Sequence, residues 1–145
     1  MFKHLLLPTD GSELSQAAIR KGLHFAKECN ARVTGISVAP EFHVFTFDTT
    51  MLEDTNERFL AESRAQSQKH LAMLEQAAVA EGVRCETVVE VSDHPYEAII
   101  RAAEKHNCDL ILMASHGRRG VQGMLLGSET QKVLTHSKIP VLVYR

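Results

Sequence analysis

The sequence has few of the residues that mark specialised classes of protein. Among its 145 residues there is no tryptophan, and its three cysteines lie too far apart to form a Cys-x-x-Cys pair. This spacing argues against a zinc ribbon and against a thioredoxin-type redox site. We expect Cys29, Cys85 and Cys108 to be buried small hydrophobes with free thiols, which is typical of a reducing compartment and predicts a cytoplasmic protein.

Long apolar runs and a charge excess are missing as well. No stretch approaches the ~18 apolar residues of a membrane span, and the run Leu5 to Thr9 is too short for the core of a secretory signal. The chain carries 16 Lys and Arg against 18 Asp and Glu, a formal net charge of -2. We therefore expect neither membrane association nor dedicated nucleic-acid binding, although a local anion site is compatible with this balance.

The remaining composition, 44% hydrophobic and 23% charged, is that of an ordinary globular protein. At ~100–200 residues per domain, the length predicts one domain, residues 1–145. Short apolar runs alternate with stretches of helical periodicity, and only Glu41 to Asp54 shows no decisive pattern. The predicted strands are Lys3–Pro8, Arg32–Val38, Arg84–Val91, Leu110–Ala114 and Val141–Tyr144; the predicted helices are Ser12–Asn30, a long helix through Leu60–Ala78 that ends at Gly82, a helix that starts at Pro95, and Ser128–Ser137.

This alternation of strands and helices predicts an α/β protein with a parallel sheet and helices on both faces. The strands Lys3–Pro8 and Leu110–Ala114 are apolar almost throughout, so we expect them to be central neighbours. The strand Arg84–Val91 has a polar face and favours an edge position. The resulting fold is a doubly wound, Rossmann-like sheet of five strands in the order 3-2-1-4-5, which binds ligands at the carboxyl ends of its central strands.

Two segments should meet at that position. One is Pro8 to Ser12, in which Asp10 or Ser12 is the expected helix cap, and the other is the loop Ser115 to Gly127, which holds four of the eight glycines. This loop leads into a helix that Ser128 is predicted to cap, and glycines before a helix amino end are typical of a phosphate site. Neither the Walker pattern nor the Rossmann G-x-G-x-x-G is present. The spacing alone leaves two interpretations open, a phosphate-binding loop and a flexible connection with solvated arginines.

The same segment resembles the signature of a known family. Ser115 to Ser128 reads SHGRRGVQGMLLGS, which matches the pattern G-x2-G-x9-G-[ST] except that Ala114 stands at the first glycine. The opening LLLPTDGS and the ending KIPVLVYR are also similar to the first and last strands of that family. Over essentially its whole length, the chain resembles the nucleotide-binding branch of the universal stress protein family, whose fold is similar to that of the adenine nucleotide alpha hydrolases.

The resemblance implies a binding site for ATP or another adenine nucleotide such as AMP, with Mg or Mn bound through the phosphates. The apolar last strand, at an edge of the predicted sheet, favours a homodimer through that strand, and the resemblance points the same way. The sequence itself offers no evident catalytic residues, and its scattered histidines do not predict a metal site built from side chains. The implied nucleoside contacts are Pro8, Thr9, Asp10, Val38, Met113 and Ala114; the implied phosphate contacts are His116, Gly117, Gly127, Ser128, Glu129 and Thr130.

Three functions remain open at this stage. The first is a nucleotide-binding stress-response or signalling module that acts as a dimer with an unidentified protein partner. The second is a dimeric stress scaffold that binds no nucleotide, and the third is a slow ATPase. Phe42, Phe45 and Phe47 are expected to pack at a loop or dimer edge, or to form a lid over the nucleotide.

Overall fold

A computed structural model describes residues 1–43, 49–118, 120, 123 and 125–145, without the side chains of residues 49–52. Its elements in chain order are β1 (His4–Pro8), α1 (Glu13–Cys29), β2 (Arg32–Ala39), α2 (Thr49–Glu81), β3 (Cys85–Val91), α3 (Pro95–Lys105), β4 (Leu110–Ala114), α4 (Ser128–His136) and β5 (Val141–Tyr144). Within the described residues, no helix combines the length and the apolar character that a membrane crossing requires.

The five strands form one parallel sheet in the order β3-β2-β1-β4-β5, which confirms the predicted fold class. Strand β1 is central and pairs with β2 on one side and with β4 on the other. Strand β3 lies at an edge, as its polar face predicted. The two segments that follow β1 and β4 therefore leave the sheet side by side at the switch point.

The apolar run of β1 is buried on both faces of the sheet. Leu5 and Leu7 pack with α1 and α2, and Leu6 packs with α3 and α4. All three leucines are at most 1% exposed. Burial on both faces explains why the run is continuous rather than alternating.

The sequence left the start of helix α2 undecided. Helix α2 begins at Thr49, inside the stretch Glu41 to Asp54 that showed no decisive periodicity. Phe42 packs against Phe59 of this helix, with ring centroids 5.4 Å apart, whereas Phe45 and Phe47 lie outside the described residues.

The predicted capping role of Ser128 is wrong. Gly127 is the N-cap of α4, and the Gln131 N–H donates to its carbonyl at 3.0 Å, so Ser128 is already the first helical residue. At α1, Ser12 rather than Asp10 is the cap, because its Oγ accepts from the Ser15 N–H at 3.2 Å.

Candidate functional site

Asp10 joins the two segments that meet at the switch point. Its Oδ1 accepts a hydrogen bond from the Ser12 N–H at 3.0 Å, and its Oδ2 accepts one from the Arg118 N–H at 2.9 Å. Gly117 lies so close that a Cβ at this position would collide with Asp10 Oδ2. The carboxylate therefore holds the turn after β1 against the start of the glycine loop after β4.

These hydrogen bonds also determine the charge of Asp10. Burial alone would raise the pKa of this carboxyl, but hydrogen bonds from Ser12, from the Arg118 N–H and from Ser15 outweigh it and hold the pKa below its ordinary value. A carboxylate keeps acceptor positions beyond the two already used, so Asp10 remains able to accept hydrogen bonds from hydroxyl groups of a ligand.

The amino end of α4 supplies backbone donors. Gly127 is extended at φ -70 and ψ 158, its N–H donates to the Ser115 carbonyl at 2.6 Å, and among the described residues no side chain caps the helix. The N–H groups of Ser128, Glu129 and Thr130 have no partner within the helix, because an α-helix leaves its first donors unpaired. Such donors, together with the helix dipole, favour an anion.

Two of the side chains at this helix end are occupied by the protein itself. Thr130 is buried, and its Oγ1 donates to the Ala114 carbonyl at 2.9 Å, which holds α4 against β4. Glu129 accepts from the Tyr96 N–H at 2.9 Å through Oε2 and contacts Lys132 through Oε1 at 3.3 Å. A phosphate contact from Thr130 or Glu129 would therefore come from the backbone N–H.

The residues expected at the nucleoside end lie on the three central strands or directly after them. Thr9 is buried behind Pro8, and its N–H donates to the Ile36 carbonyl at 2.9 Å. The N–H and C=O groups of successive residues in a strand point alternately to its two neighbouring strands. Those of Ile36 point toward β1, so the next pair that does so belongs to Val38, which lies just beyond the end of the pairing with β1. Val38 and Met113 also pack against the same apolar cluster.

Ala114, the departure from the family signature, lies in β4 and is 7% exposed. A strand requires a negative φ, which alanine adopts as readily as glycine does. The conformational freedom of glycine is therefore not needed at this position.

His116 lies at the start of the glycine loop and is packed by glycines on both sides. A Cβ at Gly120 would collide with its ring, and a Cβ at Gly127 would lie 3.0 Å from its Cα. Its Nδ1 is 3.2 Å from Ser115 Oγ. The absence of side chains at Gly120 and Gly127 thus lets the start and the end of the loop approach each other. The atoms that a side chain there would meet first are those of His116.

Two groupings were not anticipated from the sequence, since each joins residues far apart in the chain. His70 of α2 contacts Arg118, with Nε2 and Nη2 3.1 Å apart. Beyond the ends of β2 and β3, Glu41, His43 and Asp93 also form an exposed cluster with the composition of a metal site. Asp93 accepts from the Glu41 N–H at 3.0 Å and pairs with His43, and these hydrogen bonds account for that cluster without an ion.

Comparisons with solved structures agree with this architecture. The structure of MJ0577 from Methanocaldococcus jannaschii has a TM-score of 0.84 and 26% identity, covering 99% of this chain and 95% of that chain. A universal stress protein in complex with cAMP has a TM-score of 0.72 at 23% identity, over 99% and 97% of the two chains. One from Archaeoglobus fulgidus in complex with dAMP has a TM-score of 0.72 at 14% identity, over 100% and 98%. At 23% and 14% identity, the last two comparisons show a shared fold and nothing more.

Comparisons of sequence give the family. The model of the universal stress protein family matches residues 1–145. Universal stress protein YxiE of Bacillus subtilis is 35% identical over 149 residues, covering 100% of both chains. The chain therefore belongs to the universal stress protein family.

Proposed function

We propose that this universal stress protein binds an adenine nucleotide at the carboxyl ends of β1 and β4 and works as a signalling module rather than as a dedicated enzyme. The observation that carries the proposal is the amino end of α4, where no side chain of the described residues caps the helix and Ser128, Glu129 and Thr130 offer backbone N–H groups. Phosphate is an anion that such a helix end binds well. The phosphate of the ligand would then accept the hydrogen bonds that a capping side chain ordinarily accepts.

The nucleoside would lie between this helix end and the turn after β1. Asp10 has acceptor positions for ribose hydroxyls, and the peptide groups of Val38 lie beyond the paired part of β1, where they suit the edge of a base. Relatives crystallised with cAMP and with dAMP make adenine the base to test first. A bound Mg or Mn would be held through the phosphates of ATP, since Mg²⁺ is usually bound through substrate phosphates together with one or two carboxylates.

A homodimer through β5 belongs to the same proposal. The carbonyl of Pro140 accepts from the Ile111 N–H of β4 at 2.9 Å, and the carbonyl of Tyr144 accepts from the N–H of Ser115, directly after β4, at 2.7 Å. The peptide groups of Val141 and Val143 alternate with these and therefore face the open edge of the sheet. An edge strand with such groups is available for pairing with a second copy of itself about a two-fold axis.

The three cysteines, all free, suit the reducing cytoplasm.

Identification of the bound molecule tests the proposal. The protein would be purified without added nucleotide and denatured, and the released small molecules identified by mass spectrometry. Calorimetry with AMP, ADP, ATP and cAMP would then rank the ligands. We expect an adenine nucleotide in at least one of the two experiments. Absence of nucleotide after purification, together with no binding of any of the four at millimolar concentration, would favour the scaffold without a nucleotide.

A further inference from the structure

A polar cleft of about 560 Å³ lies beside the proposed nucleotide site, between the turn at Gly11 and helix α2. Arg118 and Lys69 line it with two permanent positive charges, and Gln16 and Gln66 line it with two amides. None of the described residues that line the cleft is acidic, although the chain as a whole has a net charge of -2. Its volume is within the range of about 300–1,000 Å³ that is typical of small-molecule sites.

His70 connects this cleft to the glycine loop. Arg118 Nη2 lies 3.1 Å from His70 Nε2, and a guanidinium group can only donate. In a hydrogen bond between these atoms Nε2 is therefore the acceptor, which assigns the neutral form with its proton on Nδ1 to His70. The ring lies directly over Gly11, where φ is +79 and any Cβ would collide with it, so a side chain at this position would displace the ring.

The surroundings of His70 favour this neutral form. Burial lowers the pKa of His70 most, and the charges of Arg118 and Lys69 lower it further; among the described residues, the carboxylate of Asp10 raises it. Asp10 is itself engaged by the N–H groups of Ser12 and Arg118. An anion that enters the cleft would screen the two cations, and protonated Nε2 would then donate to the anion instead of accepting from Arg118.

We propose that Arg118, Lys69 and His70 form a binding site for a phosphoryl anion, and that His70 takes up a proton when the anion binds. The anion is either the outer part of the nucleotide's own phosphate chain or a separate phosphate or pyrophosphate. The inference deepens the proposed nucleotide-binding function, and it rests on that function only in the first of these two cases.

Calorimetry of the full chain at about pH 6.5 tests the site with three probes: inorganic pyrophosphate, ATP and AMP. Each titration is run in two buffers of different ionisation enthalpy, so that the difference in heat gives the number of protons taken up. Arg118→Met should weaken binding of pyrophosphate or ATP at least about tenfold, because a hydrogen bond to a charged group is lost. Lys105→Met removes an equal charge at the far end of α3 and should change the affinity less than about twofold. The phosphate groups of the probes also titrate near this pH, so the net proton exchange is compared between proteins. Fewer protons should be taken up on binding to His70→Gln than on binding to the wild type.

The pattern among the probes identifies the anion. If Arg118→Met weakens ATP but not AMP, the anion is the nucleotide's outer phosphates; if it weakens pyrophosphate alone, the anion is a separate molecule. Equal affinities for the wild type and Arg118→Met, or equal net proton exchange for the wild type and His70→Gln, would overturn the proposal. Lys69→Met, at an exposed position, replaces Arg118→Met should that variant fail to fold. Failure of the nucleotide proposal looks different, since ATP and AMP would both fail to bind while pyrophosphate still could.

Discussion

Replacement of Ser128 with proline would remove one backbone donor from the amino end of α4 without breaking the helix. Ser128 is the first helical residue and is exposed, and proline is well tolerated at this position because its missing N–H has no helical partner. Proline also restricts the residue before it to extended conformations. Gly127 already has φ -70 and ψ 158, so this restriction is met.

The expected loss is that of one hydrogen bond to a charged phosphate. Such a bond contributes about 1.5–3 kcal/mol, which corresponds to an affinity about 10- to 140-fold weaker. The free energy of unfolding of Ser128→Pro, in contrast, should rise or remain unchanged. Proline at a compatible position raises the free energy of unfolding by up to about 1 kcal/mol, because it restricts the unfolded chain.

Calorimetry with ATP on three proteins separates the N–H from the hydroxyl. Ser128→Ala keeps the backbone donor and loses only Oγ, so the difference between the alanine and proline variants isolates the N–H. Urea unfolding of each variant verifies that it is folded. A folded Ser128→Pro variant that binds ATP as tightly as Ser128→Ala would refute the assignment of this helix end as the phosphate site.

Three further predictions follow from the same structure. Ala114→Gly should change the ATP affinity by less than about twofold, because the backbone of β4 is extended and does not need glycine. It should lower the free energy of unfolding by about 0.5–1 kcal/mol. Tighter binding of ATP would mean that the methyl group of Ala114 crowds the ligand. Val143→Pro removes a donor from the open edge of β5 and should convert a dimer into a folded monomer in light scattering, whereas a monomeric wild type at micromolar concentration would contradict the dimer. The free energy of unfolding should fall as the pH drops below about 6.5, because burial lowers the pKa of His4 and the unfolded chain then binds more protons than the folded one. Urea midpoints at about pH 7.5 and 5.5 should differ less for His4→Gln, and an equal difference would exclude His4 as the cause.

The fold was predictable because the local patterns agree with the burial of each element. The run Leu5 to Leu7 is buried on both faces of the sheet, and the alternating strand β3 lies at an edge, so each pattern reports the environment directly. The start of α2 was not predictable in this way. Helix α2 is largely exposed over its first described turns, so no apolar stripe marks its beginning at Thr49.

Single side chains in the site were harder to predict than its position. The sequence predicts that the turn at Asp10 and the loop at Gly117 meet, but not that Asp10 holds them together through the Arg118 N–H. It also suggested Ser128 as a cap, because serine is a common capping residue, whereas the chain remains extended through Gly127. Contacts between segments about a hundred residues apart leave no local pattern, and the exact helix boundary depends on one pair of backbone angles.

The structure also bears on whether bound ATP would be consumed. Hydrolysis requires a group that positions the attacking water in line with the leaving oxygen. Near the amino end of α4, the carboxylate of Glu129 is engaged by the Tyr96 N–H and by Lys132, and His116 Nδ1 lies beside Ser115 Oγ. With Glu129 held toward α3, we expect turnover below about 1 per minute, against 1–10³ per second for typical enzymes. Single-turnover assays with magnesium ATP measure this rate, and Glu129→Gln should not change it. A rate of several per second that falls in Glu129→Gln would make this carboxylate a catalytic base and the protein an ATPase.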